Sequence, residues 1–204
     1  CTIFQNQDDH KLFKKNNWIT DNNSELIISS GVDISRFRNS KEPSFPPIIL
    51  FVGRLIWQKG VREFIDAAKI VRQSFPGIRF QLAGEFDTKH PDAVPEDYIR
   101  KADNDEIIEF LGFCSNMEDI FSGITLFVLP SYREGVPRVI LEAAACGVPS
   151  ITSDTPGCRQ AVIDGKTGVL VPLKNSTALA RKICELVSTP NELKAMGIAA
   201  RNRV

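Results

Sequence analysis

Histidine and net charge are the two features that this sequence most clearly lacks. The chain has only two histidines, His10 and His90, and neither lies near a nucleophile motif. A histidine-rich metal centre or a histidine-based catalytic triad is therefore not expected. With 25 basic and 25 acidic residues, the formal net charge is +0, which leaves no overall field to attract nucleic acid. Any anion-binding site must be local.

Long apolar runs and paired cysteines are also missing. No run approaches the ~20 apolar residues of a membrane span, and no signal peptide opens the chain. The first residue is Cys1 instead of Met, which suggests a processed chain or an excised fragment. The cysteines are odd in number and form no Cys-x-x-Cys pair. We expect reduced, buried thiols of a cytosolic protein, not disulfides or a zinc site, at Cys1, Cys114, Cys146, Cys158 and Cys184.

Six short apolar runs recur along the chain. They are too continuous for strands with one solvated face, which is typical of a parallel sheet covered on both faces. The runs are residues 47–52, 78–83, 107–111, 124–130, 148–152 and 168–172.

Helical patterns separate these runs. Apolar residues repeat at three and four positions in residues 61–71, and two further helical patterns begin at the possible caps Asn116 and Ser176. Strand alternating with helix predicts an α/β fold with a Rossmann-like, doubly wound and mainly parallel sheet. Right-handed crossovers bring the carboxyl ends of the strands to one edge, where a ligand is expected.

The first part of the chain breaks this alternation. It holds one strand-like run, residues 25–33, followed by a charged and proline-rich linker at residues 38–47. We predict that residues 1–42 are the remnant of a preceding domain with its linker. Residues 43–204 would then form the Rossmann-like domain.

The segment after the first strand of that domain, "VGRLIWQKG", has the composition of a phosphate site. Gly53 permits a tight turn, and Arg54 and Lys59 flank a helix that begins near Gly60. Two cations beside a helix N-terminus favour a pyrophosphate, although both could instead be solvated turn residues. No Walker loop and no Gly-x-Gly-x-x-Gly is present, which argues against nicotinamide and flavin dinucleotides.

The stretch "REGVPRVILEAAACGVP", residues 133–149, holds two glutamates in different settings. Pro137 suits the first turn of a nearly all-apolar helix that ends at residue 145 or 146, with Gly147 as its cap. Glu142 lies inside that helix, where a carboxylate needs a partner. That partner could be Arg133 or Arg159, or a pair of ligand hydroxyls.

Glu134 precedes that helix in a loop on the ligand edge. It is either simply exposed to solvent or part of the site, and the two glutamates could hold two parts of one polyhydroxylated ligand. Gly84 and Phe113, after the second and third strands, could wall a nucleobase pocket, although tight turns also explain them. Pro156 and Gly157 favour an architectural turn.

Three segments together resemble the donor-binding half of retaining glycosyltransferases of family four, which have the two-domain GT-B architecture. They are "FVGRLIWQKG", "FVLPSYREGVPRVILEAAACGVPSITSDTPG" and "DGKTGVLVP", and the resemblance covers about residues 46–201. "FQNQDD" and "SSGVDISRF" look like the last strand and linker of the family's acceptor-binding domain. The resemblance is closest to members that build bacterial surface polysaccharides.

The resemblance implies a role for each site residue. Arg54 and Lys59 would bind the nucleotide diphosphate, Glu134 the transferred sugar as the catalytic residue, and Glu142 the ribose. Backbone amides of the segment after Glu134 would meet the sugar and diphosphate, at Gly135, Val136, Pro137, Arg138 and Val139. This sequence departs from the usual Glu-Gly-Phe-Gly, since Pro137 offers no N–H and Arg138 adds a charge. The departure leaves the donor sugar open.

The implied activity is retaining, metal-independent sugar transfer from a nucleotide sugar, with a UDP-sugar expected and no further cofactor. The isolated chain would bind donor but transfer nothing, because a glycan or lipid-linked acceptor would bind the other domain. The full-length protein would be cytoplasmic, in peripheral contact with the inner membrane face. A sugar-nucleotide epimerase of the same architecture and a non-catalytic anion-binding module are the alternatives.

Overall fold

A computed structural model describes residues 1–38 and 44–204 of the chain. Its largest element is a six-stranded sheet, and a separate two-stranded sheet lies near the N-terminus. The strands are β1 (Thr2–Phe4), β2 (Ser24–Leu26), β3 (Ile48–Val52), β4 (Arg79–Ala83), β5 (Glu109–Gly112), β6 (Leu126–Leu129), β7 (Ser150–Ser153) and β8 (Gly168–Val171). The helices are α1 (Gln7–Lys15), α2 (Val61–Ser74), α3 (Glu96–Asn104), α4 (Met117–Phe121), α5 (Arg138–Ala145), α6 (Pro156–Ala161), α7 (Ser176–Val187) and α8 (Pro190–Arg201).

The large sheet has the order β5-β4-β3-β6-β7-β8, and every neighbouring pair is parallel. The predicted α/β class and Rossmann-like, doubly wound sheet are confirmed, and each of the six apolar runs contains or overlaps one strand. The strand order reverses between β3 and β6. Such a reversal opens a crevice beyond the strand ends and is the usual ligand site of open α/β sheets.

Aromatic packing fixes the helix that starts at this crevice. Phe64 on α2 is fully buried, and its ring centroid lies 5.4 Å from that of Phe51 on β3 and 5.7 Å from that of Phe80 on β4. Truncating such a residue costs about 3–5 kcal/mol. The beginning of α2 is therefore held firmly against the central strands.

Helix α5 follows the prediction closely. It starts at Arg138 after Pro137 and ends at Ala145, and Gly147 just beyond it has φ of +73°, the left-handed conformation of a helix terminus. The predicted cap of α7 was wrong by one residue. Asn175 is the cap, since its side chain accepts a hydrogen bond from the Ala178 amide.

The N-terminal segment holds more structure than predicted. The strand predicted from the apolar pattern is confined to Ser24–Leu26, where it pairs in parallel with β1. The segment "FQNQDD", which the resemblance assigned to a strand, has only Phe4 in β1, and its last three residues begin helix α1. Both strands have three residues, too few for a recognisable alternation. The predicted boundary between residues 42 and 43 lies outside the described residues.

Helices α3, α6 and α8 were also missed, and α6 occupies the segment assigned to a turn. All five cysteines are free, as expected, but burial was wrong for Cys1, which is exposed, and Cys114 and Cys184 are only partly buried. Burial raises the pKa of the Cys146 thiol to about 11, which keeps it protonated. Within residues 1–38 and 44–204, no helix has the length and apolar character needed to cross a membrane.

Candidate functional site

A cleft of about 490 Å³ lies at the crevice between the ends of β3 and β6. The loop after β3 forms one side, and the loop after β6 with the start of α5 forms the other. The fold brings together all ten residues that the sequence assigned to catalysis or donor binding: Gly53, Arg54, Lys59, Glu134, Gly135, Val136, Pro137, Arg138, Val139 and Glu142. Gln5, Val52, Met117 and Leu129 complete the lining.

Lys59 and Glu134 form an ion pair at the centre of the site. The Lys59 ammonium donates to Glu134 Oε1 at 2.5 Å, and the side chains are only 21% and 11% exposed. Glu134 is therefore not a solvated loop residue, and Lys59 is not a solvated turn residue. Because the pair is largely shielded from solvent, removing either side chain would leave the charge of the other without compensation.

Gly60 allows the loop that carries Lys59 to pack closely against the loop that carries Glu134. It follows a 3₁₀ turn at Trp57–Lys59 and has φ of +78°. A Cβ on this residue would overlap the backbone of Pro130 at the end of β6. The start of α2 can therefore pack directly against the loop that carries Glu134.

A partly buried hydrogen-bond network joins the same two loops. The Tyr132 amide donates to the Gln58 carbonyl at 2.8 Å, and the Ser131 hydroxyl donates to the same oxygen at 3.2 Å. The Tyr132 hydroxyl donates to Glu63 Oε1 on α2 at 2.8 Å. Burial, followed by the bond to Glu63, raises the pKa of Tyr132 well above its ordinary value. Sequence reasoning missed this network.

Replacing Tyr132 by phenylalanine should destabilise the protein, because Glu63 is 5% exposed and its other oxygen, Oε2, has no hydrogen-bond partner among residues 1–38 and 44–204. Leaving this carboxylate without its donor should cost about 1–3 kcal/mol, measured as a lower melting temperature. Tyr98→Phe is the matched control, since it preserves the edge-on ring contact with Trp57. Equal melting temperatures for both variants would contradict the role given to the Tyr132 bond.

Gly157, in α6, packs directly against the backbone of the Glu134 loop. A Cβ on Gly157 would overlap the carbonyl oxygens of Glu134 and Gly135. The close packing of α6 under the loop therefore requires glycine, and the architectural interpretation of this residue agrees with the structure.

Glu142 lies on α5 with its side chain 15% exposed. Burial raises the pKa of its carboxyl, against the opposing charges of Arg138 and Arg36. Its ion pair is with Arg138 at 3.7 Å. The two partners considered from the sequence were wrong: Arg133 faces Asp9 at 3.7 Å, and Arg159 pairs with Asp8 at 3.2 Å and with Asp154. The i, i+4 spacing of Arg138 and Glu142 on a helix could have identified the pair.

The remaining predicted residues differ in their placement. Arg54 lines the cleft, is 59% exposed and faces Asp87 at 3.6 Å. Gly84 packs against the Gly53 backbone, and Phe113 is 72% exposed. Neither is among the described residues that line the cleft.

In the part of the chain that the structure describes, no group of three or more His, Cys, Asp or Glu is arranged to hold a metal.

The fold and site define a class of protein, namely α/β proteins with a cleft lined by charged side chains at the switch point of a doubly wound sheet. The family described as Glycosyl transferases group 1 matches residues 33–203. The chain belongs to this family, which confirms the resemblance at the level of group 1 glycosyltransferases.

Two curated relatives come from bacterial glycan assembly. The chain is 30% identical over 198 residues to the N,N'-diacetylbacillosaminyl-diphospho-undecaprenol alpha-1,3-N-acetylgalactosaminyltransferase of Campylobacter jejuni, covering 91% of this chain and 50% of the relative. It is 29% identical over 158 residues to the capsular polysaccharide biosynthesis glycosyltransferase CapM of Staphylococcus aureus, covering 77% of this chain and 41% of the relative. The chain spans about half the length of the curated relatives it matches.

Solved structures share the fold. Sucrose-phosphate synthase from Thermosynechococcus elongatus aligns with a TM-score of 0.80 at 25% identity, covering 100% of this chain and 53% of that one. Anabaena Alr3699/HepE, in complex with UDP and glucose, aligns with a TM-score of 0.81 at 21% identity, covering 98% of this chain and 57% of that one.

Proposed function

We propose that this chain is the donor-binding part of a nucleotide-sugar-dependent glycosyltransferase. The observation that carries the proposal is the shielded Lys59–Glu134 pair, which sits in one cleft with Arg54 and Glu142. Family membership supports transfer over the alternatives of an epimerase and a non-catalytic module. The UDP named in the complex of Anabaena Alr3699/HepE supports a nucleotide donor, with a UDP-sugar as the first candidate.

Binding of the diphosphate follows from the charges in the cleft. Arg54 and Lys59 provide two cations, and the first residues of α5, Arg138 and Val139, line the same cleft, so the free amides of a helix N-terminus are available there. Pro137 removes one possible donor, so the amides of Gly135, Val136 and Arg138 would have to serve. A departing diphosphate could be stabilised by these fixed groups without a divalent metal.

Glu134 is the proposed catalytic residue. In glycosyl transfer, positive charge develops at the anomeric carbon, and a carboxylate held by Lys59 beside the sugar would stabilise that charge. We propose a retaining outcome, supported by the family-four pattern Glu-x7-Glu formed by Glu134 and Glu142.

Glu142 is the proposed ribose ligand, and its raised pKa gives a pH dependence. The ionised carboxylate accepts hydroxyl bonds at both oxygens, whereas protonation turns one oxygen into a donor and removes the charge. Affinity for UDP-glucose should therefore fall with decreasing pH, beginning above the ordinary glutamate value of 4.5. Glu142→Gln should bind UDP-glucose about 10-fold more weakly at pH ~8, because hydrogen bonds to a charged group contribute ~1.5–3 kcal/mol. The affinity of this variant should no longer fall as the pH is lowered.

Calorimetry across pH ~5 to ~8 would measure this effect. UDP-glucose is the better probe, since the terminal phosphate of free UDP would itself titrate at about pH 6 like other phosphate monoesters. Parallel declines in the wild type and Glu142→Gln would contradict the assignment of Glu142.

The nucleotide proposal is tested by titrating the chain with UDP, GDP, UDP-glucose and GDP-mannose. Binding of at least one nucleotide, competed by its own nucleotide sugar, is expected. Absence of binding for all four would falsify the proposal. The sugar acceptor, a glycan or lipid-linked glycan, would bind outside this chain, as the missing half of the relatives' length suggests. We propose a role in bacterial glycan synthesis, which those relatives' names support, and we place that role at the cytoplasmic membrane face as part of the same proposal.

A further inference from the structure

The segment between β1 and α1 lies directly against the Glu134 loop. Gln5 lines the cleft, and its side-chain oxygen occupies the space where a Cβ on Gly135 would be. Gln5 itself is exposed to the cleft. Its carboxamide therefore stands at the Glu134 end of the cleft, next to the residue proposed to meet the sugar.

Asn6 fixes this segment in place. Its side chain is 1% exposed, accepts a hydrogen bond from the Asp9 amide at 2.8 Å, and donates to Asp9 Oδ2 at 2.8 Å. The same amide nitrogen lies 3.5 Å from the Gly135 carbonyl oxygen, at the limit of a hydrogen bond. The backbone of Gln5 is thus tied to both α1 and the Glu134 loop.

Two ion pairs of residues that follow Asn6 hold α1 against the Glu134 loop and α6. Asp8 pairs with Arg159 on α6 at 3.2 Å, and Asp9 faces Arg133 at 3.7 Å. The four side chains are 26–75% exposed, so each pair is weak alone. Together with the buried Asn6 they limit the positions that Gln5 can take, which is the condition for a selective contact.

We propose that Gln5 is a specificity-determining residue for the sugar part of the donor. A carboxamide offers two N–H donors and an accepting oxygen, so it can both donate to and accept from the hydroxyl or acetamido groups of a sugar, whereas a diphosphate would use only its donors. Gln5 lies beside Gly135, next to Glu134, the residue proposed to meet the sugar. This inference rests on the proposed nucleotide-sugar function and adds the residue that distinguishes one sugar from another.

The test compares Gln5→Ala with Gln7→Ala, a matched control because Gln7 is an exposed glutamine at the start of α1 and is not among the cleft-lining residues. Each variant is titrated with UDP and with UDP-glucose, UDP-galactose, UDP-N-acetylglucosamine and UDP-N-acetylgalactosamine, or with GDP and GDP-mannose if GDP is the nucleotide bound. Gln5→Ala should lose about five-fold in affinity for the preferred nucleotide sugar and leave the affinity for the free nucleotide unchanged. Gln7→Ala should change neither.

The outcomes separate this inference from the proposed function. If the wild type binds no nucleotide, the proposed function fails and Gln5 has no sugar to select. If nucleotides bind but Gln5→Ala leaves the ratio of nucleotide-sugar to nucleotide affinity as in the wild type, the inference alone is overturned. An equal loss for UDP and UDP-sugar would also overturn it, because that result would make Gln5 a general contributor to the cleft.

Discussion

Replacing Lys59 by alanine is expected to lower the affinity for UDP by about 30-fold or more. The substitution removes a cation proposed to bind phosphate and leaves Glu134, 11% exposed, without its partner at 2.5 Å. Removing one member of a shielded charge pair that forms on binding, here Lys59 with the phosphate, typically costs ~2–5 kcal/mol of binding free energy, and ~1.4 kcal/mol is a factor of ten in affinity. The uncompensated carboxylate would in addition repel the incoming diphosphate.

Calorimetry with UDP measures this effect, and Lys69→Ala is the matched control. Lys69 lies on α2, the helix that follows Lys59, and also forms a carboxylate pair, with Asp66 at 3.0 Å, but its side chain is 48% exposed and does not line the cleft. A double-mutant cycle with Glu134→Gln separates the two contributions. Glu134→Gln alone should preserve UDP affinity or raise it, since Lys59 is then free for phosphate. Unchanged UDP binding in Lys59→Ala would refute the phosphate role.

Lys59 and Glu134 also illustrate what could be read from the sequence. Strands buried on both faces leave continuous apolar runs, so the six strands and their parallel arrangement could be predicted. Parallel strands end at one edge, and this placed the loop of Lys59 and that of Glu134 together. The sequence could not reveal that the two side chains pair directly, because they are 75 positions apart.

The missed features depend on contacts between distant segments. Glu63 resembles an ordinary acidic residue at the start of a helix until the fold brings the Tyr132 hydroxyl to it, 69 positions away. The side of α1 that contacts the Glu134 loop and α6 contains Asp8 and Asp9, and no residue of α1 is buried, so apolar periodicity gave no signal for it. The local sequence signal for α1 was Asn6 followed three residues later by Asp9, a pattern typical of a helix N-terminus.

Replacing Gly157 by alanine is expected to lower both stability and nucleotide-sugar affinity. The new Cβ would overlap two backbone carbonyl oxygens, those of Glu134 and Gly135, and a backbone atom cannot move aside by changing rotamer. Such overpacking costs about 1–3 kcal/mol. For a protein of this size, 2 kcal/mol corresponds to a melting temperature lower by about 4–8 °C.

The affinity change distinguishes a positioning role for Gly157 from a purely structural one. Relief of the overlap would shift the Glu134 loop toward the cleft, so UDP-glucose should bind more weakly while the phosphate contacts of Arg54 change less. Gly77→Ala is the control, because among the described residues other than its chain neighbours, the nearest atom that its Cβ would meet is Pro46 Cβ at 3.9 Å. A lower melting temperature with unchanged UDP-glucose affinity would mean that the loop tolerates displacement, and that α6 supports the fold without setting the position of Glu134.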